Sequence, residues 1–217
     1  MIEYMLDPLY SDSEIKETVK NLEHYKSQLQ YLLCYPQHSN IFTAISKNFK
    51  INVTIDEPLG LGSYTSRLHQ AREMLKNTKV SAISMTAPCS AMVNRKYTQI
   101  EKEISNINEH NKLNKKIRYI LDYRKYSHNT LAQTCQILQA NGVECCYPTS
   151  GYFLDNVHDA IIAVEFLNRK SGMPFVFNTN NLYTKKQLQL CELIEPYGFS
   201  TRHTAFMDVL YTSQSST

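Results

Sequence analysis

The chain has 217 residues, of which 42% are hydrophobic and 20% are charged. This length suits one folded domain, because a single core grows to roughly 250–300 residues before a chain usually splits. The net charge is +3, and the Lys and Arg residues are dispersed among the acids. Without a clustered basic face, the sequence argues against a nucleic-acid-binding protein.

The first ten residues, MIEYMLDPLY, lack the charged and apolar regions of a secretory signal peptide. No run approaches the roughly 18 consecutive apolar residues of a transmembrane helix, so no membrane contact is expected. We therefore predict a cytoplasmic protein, or one of the host cytoplasm if the source is a virus. The Tyr-rich and Asn-rich composition leaves a viral source open.

Six cysteines lack CxxC spacing and mostly lie in apolar runs. They are Cys34, Cys89, Cys135, Cys145, Cys146 and Cys191. The adjacent Cys145 and Cys146 should point to opposite faces of a strand, so one zinc ion would not use both. We interpret all six as reduced core residues, and we expect neither a metal nor a cofactor.

Eight short apolar runs alternate with helical patterns from end to end. The predicted strands are, in chain order, IEYML (2–6), LQYLLCYP (29–36), KINVTID (50–56), VSAISMTA (80–87), KIRYILDY (116–123), VECCYPT (143–149), PFVFNT (174–179) and FSTRHT (199–204).

Helix signals lie between these runs. Ser11 and Glu14 form a capping-box pattern. Asn141 and Gly142 are typical of a helix C-terminus. The residues predicted to form apolar helix faces are Ile15, Val19, Leu22 and Leu29, then Leu68, Ala71 and Leu75, then Tyr97, Ile100, Ile104 and Ile107, then Leu131, Cys135 and Leu138. Two more helices are predicted at 157–169 and 184–196, the first burying Ile161, Ile162 and Leu167.

This alternation predicts an α/β fold, a single-domain (β/α)₈ TIM barrel that spans residues 1–217. The strand runs are apolar throughout, as expected for parallel strands that are buried on both faces. A doubly wound open sheet is the alternative, but no GxGxxG follows the first strand. Only the segment TSQSST (212–217) is expected to fray.

In a TIM barrel the functional site lies at the C-terminal ends of the strands. The polar and aromatic residues predicted there are Tyr35, Asp56, Glu57, Ser84, Thr86, Asp122, Tyr123, Tyr147, Thr149, Ser150, Asn178, Thr179, Asn180, Asn181, His203 and Thr204. This set contains no lysine and one histidine.

Seven segments resemble, in order and spacing, the deoxyribose-phosphate aldolase family. They are IEYMLDPLYSDSEI, LLCYP, IDEPLG, RLHQAREML, VSAISMTAPCSAM, GVECCYPTSGY and PFVFNTNNLYT. Among the family patterns that they resemble are V-C-V-Y-P, G-F-P-L-G and V-K-T-S-T-G-F. The resemblance covers nearly the whole chain and implies a class I aldolase barrel.

The chemistry of that family needs a Schiff-base lysine on strand six, a second lysine on strand seven and an aspartate on strand four. By position, the resemblance places these roles on Tyr147, Phe177 and Ser84. A phenol cannot form an imine, so the catalytic residues are expected to be lost. Lys125 lies just past strand five, but a solvated loop lysine is the favoured interpretation.

Two further residues are candidates for acid/base chemistry. Asp122 occupies a position where the family carries Glu, and either Arg202 or His203 should face the barrel axis. A rebuilt anion pocket at His203 is one interpretation, and a buried, hydrogen-bonded histidine is the favoured one. Tyr123 and Tyr147 complete the set available for proton transfer.

The phosphate-binding end of the family site is partly retained. Thr149, Ser150 and Gly151 preserve one loop, while Asn180 and Asn181 replace two glycines. Their side chains fill space that a phosphate would use. Thr179, His203 and Thr204 complete the predicted ligand-binding set.

Three functions from different classes remain open. The favoured one is a non-catalytic aldolase-like barrel that binds a small phosphosugar or nucleotide-like ligand, or a protein. The second is a lyase or isomerase acting on a phosphosugar without a Schiff base. The third is a structural or assembly protein, including a viral one. A homodimer or a protein partner is compatible with each of the three.

Overall fold

The computed structural model describes residues 1–153, 155–180 and 184–208, so the predicted fraying of 212–217 lies outside the described residues. Eight strands form one parallel sheet in the order β6-β5-β4-β3-β2-β1-β8-β7. Their bounds are β1 Ile2–Met5, β2 Leu29–Cys34, β3 Lys50–Ile55, β4 Val80–Thr86, β5 Lys116–Ile120, β6 Cys145–Tyr147, β7 Val176–Asn178 and β8 Gly198–Thr201.

The two ends of this sheet meet at Cys146. Its N–H donates to the carbonyl of Pro174 at 2.9 Å, and a parallel bridge joins Cys146 to Phe175. The strands therefore form a nearly closed barrel, and the predicted TIM-barrel fold is confirmed.

Helices follow the strands. Their bounds are α1 Asp12–Leu22, α2 Phe42–Ile45, α3 Tyr64–Lys76, α4 Cys89–Val93, α5 Tyr97–His110, α6 His128–Ala140, α7 Val157–Ser171 and α8 Lys185–Glu192. Short 3₁₀ turns lie at Glu23–Tyr25 and Pro36–Ile41, and residues 204–208 are helical. Within the described ranges, none of these helices is long and apolar enough to cross a membrane.

Local sequence signals explain several helix ends. The predicted capping box is confirmed, because the Ser11 N–H donates to Glu14 Oε2 at 2.7 Å and the Ser11 hydroxyl accepts from the Glu14 N–H. Asn141 is the C-cap of α6, and Gly142 follows with φ +77°, a conformation that favours glycine.

The core lies mainly between the barrel and its helices. Alternate strand residues, for example Val53 and Ile55 on β3, face the helices and belong to one large apolar cluster. Cys146 belongs to that cluster and Cys145 to a smaller one that includes Tyr147, so the two cysteines point to opposite faces as predicted. All six cysteines are free, and five of them are buried.

Some predicted positions were wrong. Leu29 begins β2 and does not belong to the first helix. Ile162 is 60% exposed, because the buried face of α7 runs through Val157, Ala160 and Val164 and leaves Ile162 on the opposite side.

Several predicted strands and one helix are too long. β6 ends at Tyr147, where Pro148 supplies no N–H to continue the ladder. α8 ends at Glu192 and β8 ends at Thr201, so Arg202 and His203 lie beyond the sheet. These shorter elements change which residues can reach the barrel mouth.

Candidate functional site

A fully buried polar network crosses the middle of the barrel. The Arg118 guanidinium forms an ion pair with Glu3, and the Tyr147 hydroxyl donates to Glu3 Oε2 at 2.6 Å. The Asn52 amide donates to the Tyr147 hydroxyl at 3.1 Å, and the Ser84 hydroxyl donates to Asn52 Oδ1 at 3.0 Å. Residues from five strands are therefore linked through side chains alone.

Arg118 is held on several sides. Its Nε donates to Glu144 Oε2 at 2.6 Å, and its guanidinium carbon lies 4.3 Å from the centre of the Tyr31 ring. Burial opposes the positive charge, but Glu3 and Glu144 outweigh it and raise the pKa of Arg118. Burial and the charge of Glu3 also raise the pKa of Tyr147 well above its ordinary value, so its hydroxyl keeps its proton.

The three positions matched to the family's catalytic residues are not equivalent in space. Tyr147 and Ser84 both face the barrel interior and meet through Asn52. The placement of Phe177 in the site is wrong, because its ring packs in the helix-facing core cluster. Its neighbour Asn178 faces inward, and its amide lies 3.5 Å from the Met5 sulfur.

Lysines are absent from the described part of the barrel interior. Among the described residues, Lys115 is buried but lies outside the barrel interior. Its ammonium donates to the carbonyl of Met74 at 3.0 Å on the outer side of the barrel. Burial lowers the pKa of Lys115 to about 8. Lys125 is exposed in the turn after β5, as expected of a solvated loop lysine, and its ammonium forms an ion pair with Asp122 at 3.2 Å.

Asp122 is also paired with Arg124, at 2.9 Å. Its burial favours protonation, but Arg124 and Lys125 outweigh burial and lower the pKa of Asp122. The Tyr123 hydroxyl donates to Asp155, whose pKa is raised by burial. Because its ion pairs with Arg124 and Lys125 favour the ionised form, Asp122 is a poor general base.

Glu57 is the carboxylate with the most perturbed pKa in the mouth. Both of its oxygens are enclosed, and no described residue donates a hydrogen bond of ordinary geometry to them. Burial raises the pKa of Glu57 to about 7, while the nearby Thr54 and Tyr35 hydroxyls and Arg202 act in the opposite direction. Such a group exchanges its proton near neutral pH.

Arg202 faces this carboxylate from the end of β8. Its guanidinium carbon lies 4.0 Å from the centre of the Tyr152 ring, and its Nη2 donates to the Tyr35 hydroxyl at 3.4 Å. The Tyr35 and Tyr152 hydroxyls are hydrogen-bonded to each other. Two tyrosines and an arginine thus meet at the entrance, close to Glu57.

The predictions for His203 need correction. Arg202, not His203, takes the inward position, and His203 is exposed rather than buried. Thr204 is also exposed and begins the final helical segment. This difference of one residue follows from Ser200, which is fully buried and pairs with the inward-facing Glu3. Side chains two residues apart on a strand share a face, so Arg202 follows Ser200 inward.

The loop after β6 packs directly against the loop after β7. Gly151 has φ +76°, and a Cβ there would lie 2.1 Å from the Asn178 amide nitrogen. The Asn180 amide donates to the Gly151 carbonyl at 3.1 Å. Thr149 and Ser150 are buried beside them, and Asn181 lies outside the described residues.

At and above the level of the central network, seven buried polar side-chain atoms have no hydrogen-bond partner among the described residues. They are Thr54 Oγ1, Glu57 Oε1 and Oε2, Thr86 Oγ1, Thr149 Oγ1, Ser200 Oγ and Arg202 Nε. Thr54 and Thr86 lie two residues beyond the inward-facing Asn52 and Ser84, so they line the upper interior. Buried polar groups are normally hydrogen-bonded, and a concentration of unpartnered ones is a common feature of sites that hold water or a ligand.

Sequence reasoning placed Glu57 and Tyr35 among the strand-end residues but gave them no role. Tyr152 and Arg202 were outside that set. The missing signal is long-range, because Tyr35 and Tyr152 are 117 residues apart in the chain. Asp56 was also expected in the mouth, but it is bonded to Arg67 and to the Gly62 N–H at 2.9 Å.

No protein-family profile matches the sequence, and no curated protein sequence matches it significantly. The chain is similar in structure to the tetrameric deoxyribose phosphate aldolase from Aeropyrum pernix, with a TM-score of 0.79, 14% identity and coverage of 100% of this chain and 90% of that one. A Toxoplasma gondii protein assigned as a deoxyribose-phosphate aldolase gives 0.80 and 10% identity, with 99% and 92% covered. The aldolase QR15 gives 0.78 and 16% identity, with 93% and 89% covered. At such identities the likeness shows the fold alone, an aldolase-type TIM barrel.

Replacing Tyr147 with Phe tests the central network. We expect the free energy of unfolding to fall by about 2 kcal/mol, because Glu3 loses a hydrogen bond to a charged acceptor. Urea unfolding measures the change. Tyr97→Phe, at a half-buried position that begins α5, is the control and should change stability by less than about 0.5 kcal/mol. Equal effects in the two variants would contradict a structural role for the Tyr147 hydroxyl.

Replacing Glu57 with Gln tests its buried carboxyl. The folded chain keeps the Glu57 proton up to about pH 7, whereas the unfolded chain releases it near the ordinary value of 4.5, so stability falls as the pH rises between them. The cost above that window is up to about 3 kcal/mol. Glu57→Gln should therefore gain stability relative to the wild type as the pH rises.

Urea unfolding between about pH 4.5 and pH 8 measures this gain. Glu101→Gln, at an exposed position on α5, is the control and should show the same pH dependence as the wild type. A pH-independent difference between wild type and Glu57→Gln would show that the carboxyl is solvated.

Proposed function

We propose that this chain is an aldolase-fold barrel that binds a small polar ligand in its upper interior and does not form a Schiff base. The observation that carries the proposal is the set of seven unpartnered polar atoms at and above the level of the central network. Enclosed polar groups of this kind recur in small-molecule sites, where a few convergent polar atoms orient the ligand.

Three features support the absence of Schiff-base chemistry. Tyr147, in the position that the aldolase resemblance gives to the nucleophile, is a protonated phenol fixed by Glu3. No lysine in the described ranges lines the barrel interior, and the ammonium of Lys125 is paired with Asp122. An imine requires a neutral amine within reach of the carbonyl carbon, which none of these groups supplies.

A proton-transfer enzyme is the second candidate, and Glu57 is the observation that favours it. A pKa of about 7 is well suited to general acid/base catalysis near neutral pH. The two candidates differ in the effect of Glu57→Gln. In a binding protein the variant still responds to the ligand. In an isomerase or lyase the variant still binds the substrate, but it loses the turnover that the wild type shows.

Several other features predicted from the sequence stay predictions. These include a phosphosugar or nucleotide-like ligand, a protein-interaction role, a homodimer, a viral assembly function and a cytoplasmic location.

A thermal-shift screen tests the binding proposal. The panel contains inorganic phosphate, nucleotides, free pentoses and pentose phosphates. A ligand at ten times its Kd stabilises the fold by about 1.4 kcal/mol, which raises the Tm by roughly 3–6 °C for a chain of this size. Arg202→Met should abolish the shift, whereas Arg169→Met, at an exposed position on α7, should retain it. No shift with any compound would contradict the proposal.

Borohydride trapping tests the chemistry. The wild-type chain is incubated with 2-deoxyribose 5-phosphate or acetaldehyde, reduced, and measured by intact-mass spectrometry. We expect no stoichiometric adduct. An adduct that maps to Lys125 and disappears in Lys125→Gln would overturn this part of the proposal, because it would identify an amine that reaches the mouth.

A further inference from the structure

The loops after β6, β7 and β8 are joined by the side chain of Asn180. Its amide nitrogen donates to the Gly151 carbonyl at 3.1 Å, and its amide oxygen accepts from the Arg202 N–H at 2.9 Å. The Asn178 amide also packs on Gly151. The gap between these three loops, where the aldolase resemblance places a phosphate group, is therefore filled by protein.

Four of the described backbone N–H groups around this gap are bonded within the chain. Phosphate cradles depend on several free N–H donors. Here those of Thr179, Asn180 and Tyr152 donate to the Ser200 carbonyl, Asn178 Oδ1 and Ser150 Oγ, at 2.8, 3.0 and 3.4 Å. The Arg202 N–H donates to the Asn180 amide oxygen. A phosphate would have to displace these acceptors before it could use those four donors.

Positive charge is also scarce in the upper interior of the barrel. Arg202 is the one described cation that faces it, and the Glu57 carboxyl lies nearby. At the edge of the mouth, Arg124 and Lys125 are both paired with Asp122. A dianionic phosphate would enter a buried site with one guanidinium to balance two charges, which is unfavourable in a low-dielectric interior.

The groups that remain unpartnered are of a different kind. Four are buried hydroxyls, on Thr54, Thr86, Thr149 and Ser200, and the others belong to Glu57 and Arg202. Hydroxyls both donate and accept, and a carboxyl accepts readily from an alcohol. A ligand that carries several hydroxyl groups satisfies such a set without bringing charge.

From the filled gap and the unpartnered hydroxyls we propose that the upper barrel takes an unphosphorylated polyhydroxylated ligand, such as a free sugar or polyol, and discriminates against the corresponding phosphate ester. This inference rests on the proposed function, because it assumes that the upper barrel binds a small molecule. It differs from a phosphosugar site in the chemistry of the ligand and in the residues that select it.

Matched pairs of probes test the inference on the wild-type chain by isothermal titration calorimetry. The pairs are D-ribose and D-ribose 5-phosphate, 2-deoxy-D-ribose and its 5-phosphate, and D-glucose and D-glucose 6-phosphate. We expect the free member of at least one pair to bind at least tenfold more tightly than its phosphate ester. Inorganic phosphate alone should give no heat of binding above the dilution control.

The alternative outcomes separate the two proposals. If the phosphate esters bind as tightly as the free sugars or more tightly, the inference fails while the proposed ligand site stands. If no member of any pair binds, the inference fails, and the proposed ligand site then depends on the response to the nucleotides and inorganic phosphate of the thermal-shift panel. This comparison needs no variant, so it does not depend on the folding of a mutant.

Two substitutions sharpen the result. Asn180→Gly opens the gap between the loops and should improve binding of the ester relative to the free sugar at least fivefold. Thr149→Val removes an unpartnered hydroxyl and should weaken binding of the free sugar about threefold to tenfold. Thr134→Val is the control, because the Thr134 hydroxyl donates to the Thr130 carbonyl within α6 at 2.9 Å, away from the upper interior of the barrel. Equal affinity in Thr149→Val and the wild type would contradict the assignment of that hydroxyl.

Discussion

Arg118 carries a full positive charge into the interior of the barrel, and the polar residues of its middle layer follow from that charge. A desolvated guanidinium needs acceptors on several sides, and Glu3, Glu144 and the Tyr147 hydroxyl provide them. Removing one partner of such a buried pair typically costs about 3–5 kcal/mol, because an uncompensated charge remains. The Tyr147 hydroxyl is thus fixed by its hydrogen bonds to Arg118 and Glu3.

The barrel interior consequently has two layers of different character. In the middle layer, Asn52 and Ser84 complete a chain of hydrogen bonds around the ion pair. In the upper layer, the next inward residues on the same strands, Thr54 and Thr86, have hydroxyls without partners. Stability alone would favour apolar side chains there, since an unsatisfied buried hydroxyl costs about 1–3 kcal/mol. The proposed binding site depends on these upper hydroxyls, and the middle layer lies below them.

The fold was predictable from sequence because its signals are local. Apolar runs, helix periodicity and the capping box at Ser11 each depend on neighbours within a few residues. The site was less predictable because it depends on which face each strand residue occupies. Phe177 was chosen instead of Asn178, and His203 instead of Arg202, each an error of one residue. Strands buried on both faces show no polar alternation that would fix the phase, and the partners that do fix it, such as Glu3 for Ser200, lie far away in sequence.

In the proposed site, the Glu57 carboxyl near Arg202 would couple ligand binding to protons. Near neutral pH the carboxyl exists in both protonation states, since its pKa is about 7. A hydroxyl that donates to the carboxylate stabilises the ionised form, so binding such a ligand releases a proton from part of the population, and affinity increases with pH through this range. The ionised carboxylate then offsets the charge of the nearby arginine, and a neutral ligand would add no charge to the proposed site. A phosphate ester would add negative charge to that balanced pair, which is the electrostatic reason for the selectivity inferred from the filled loops.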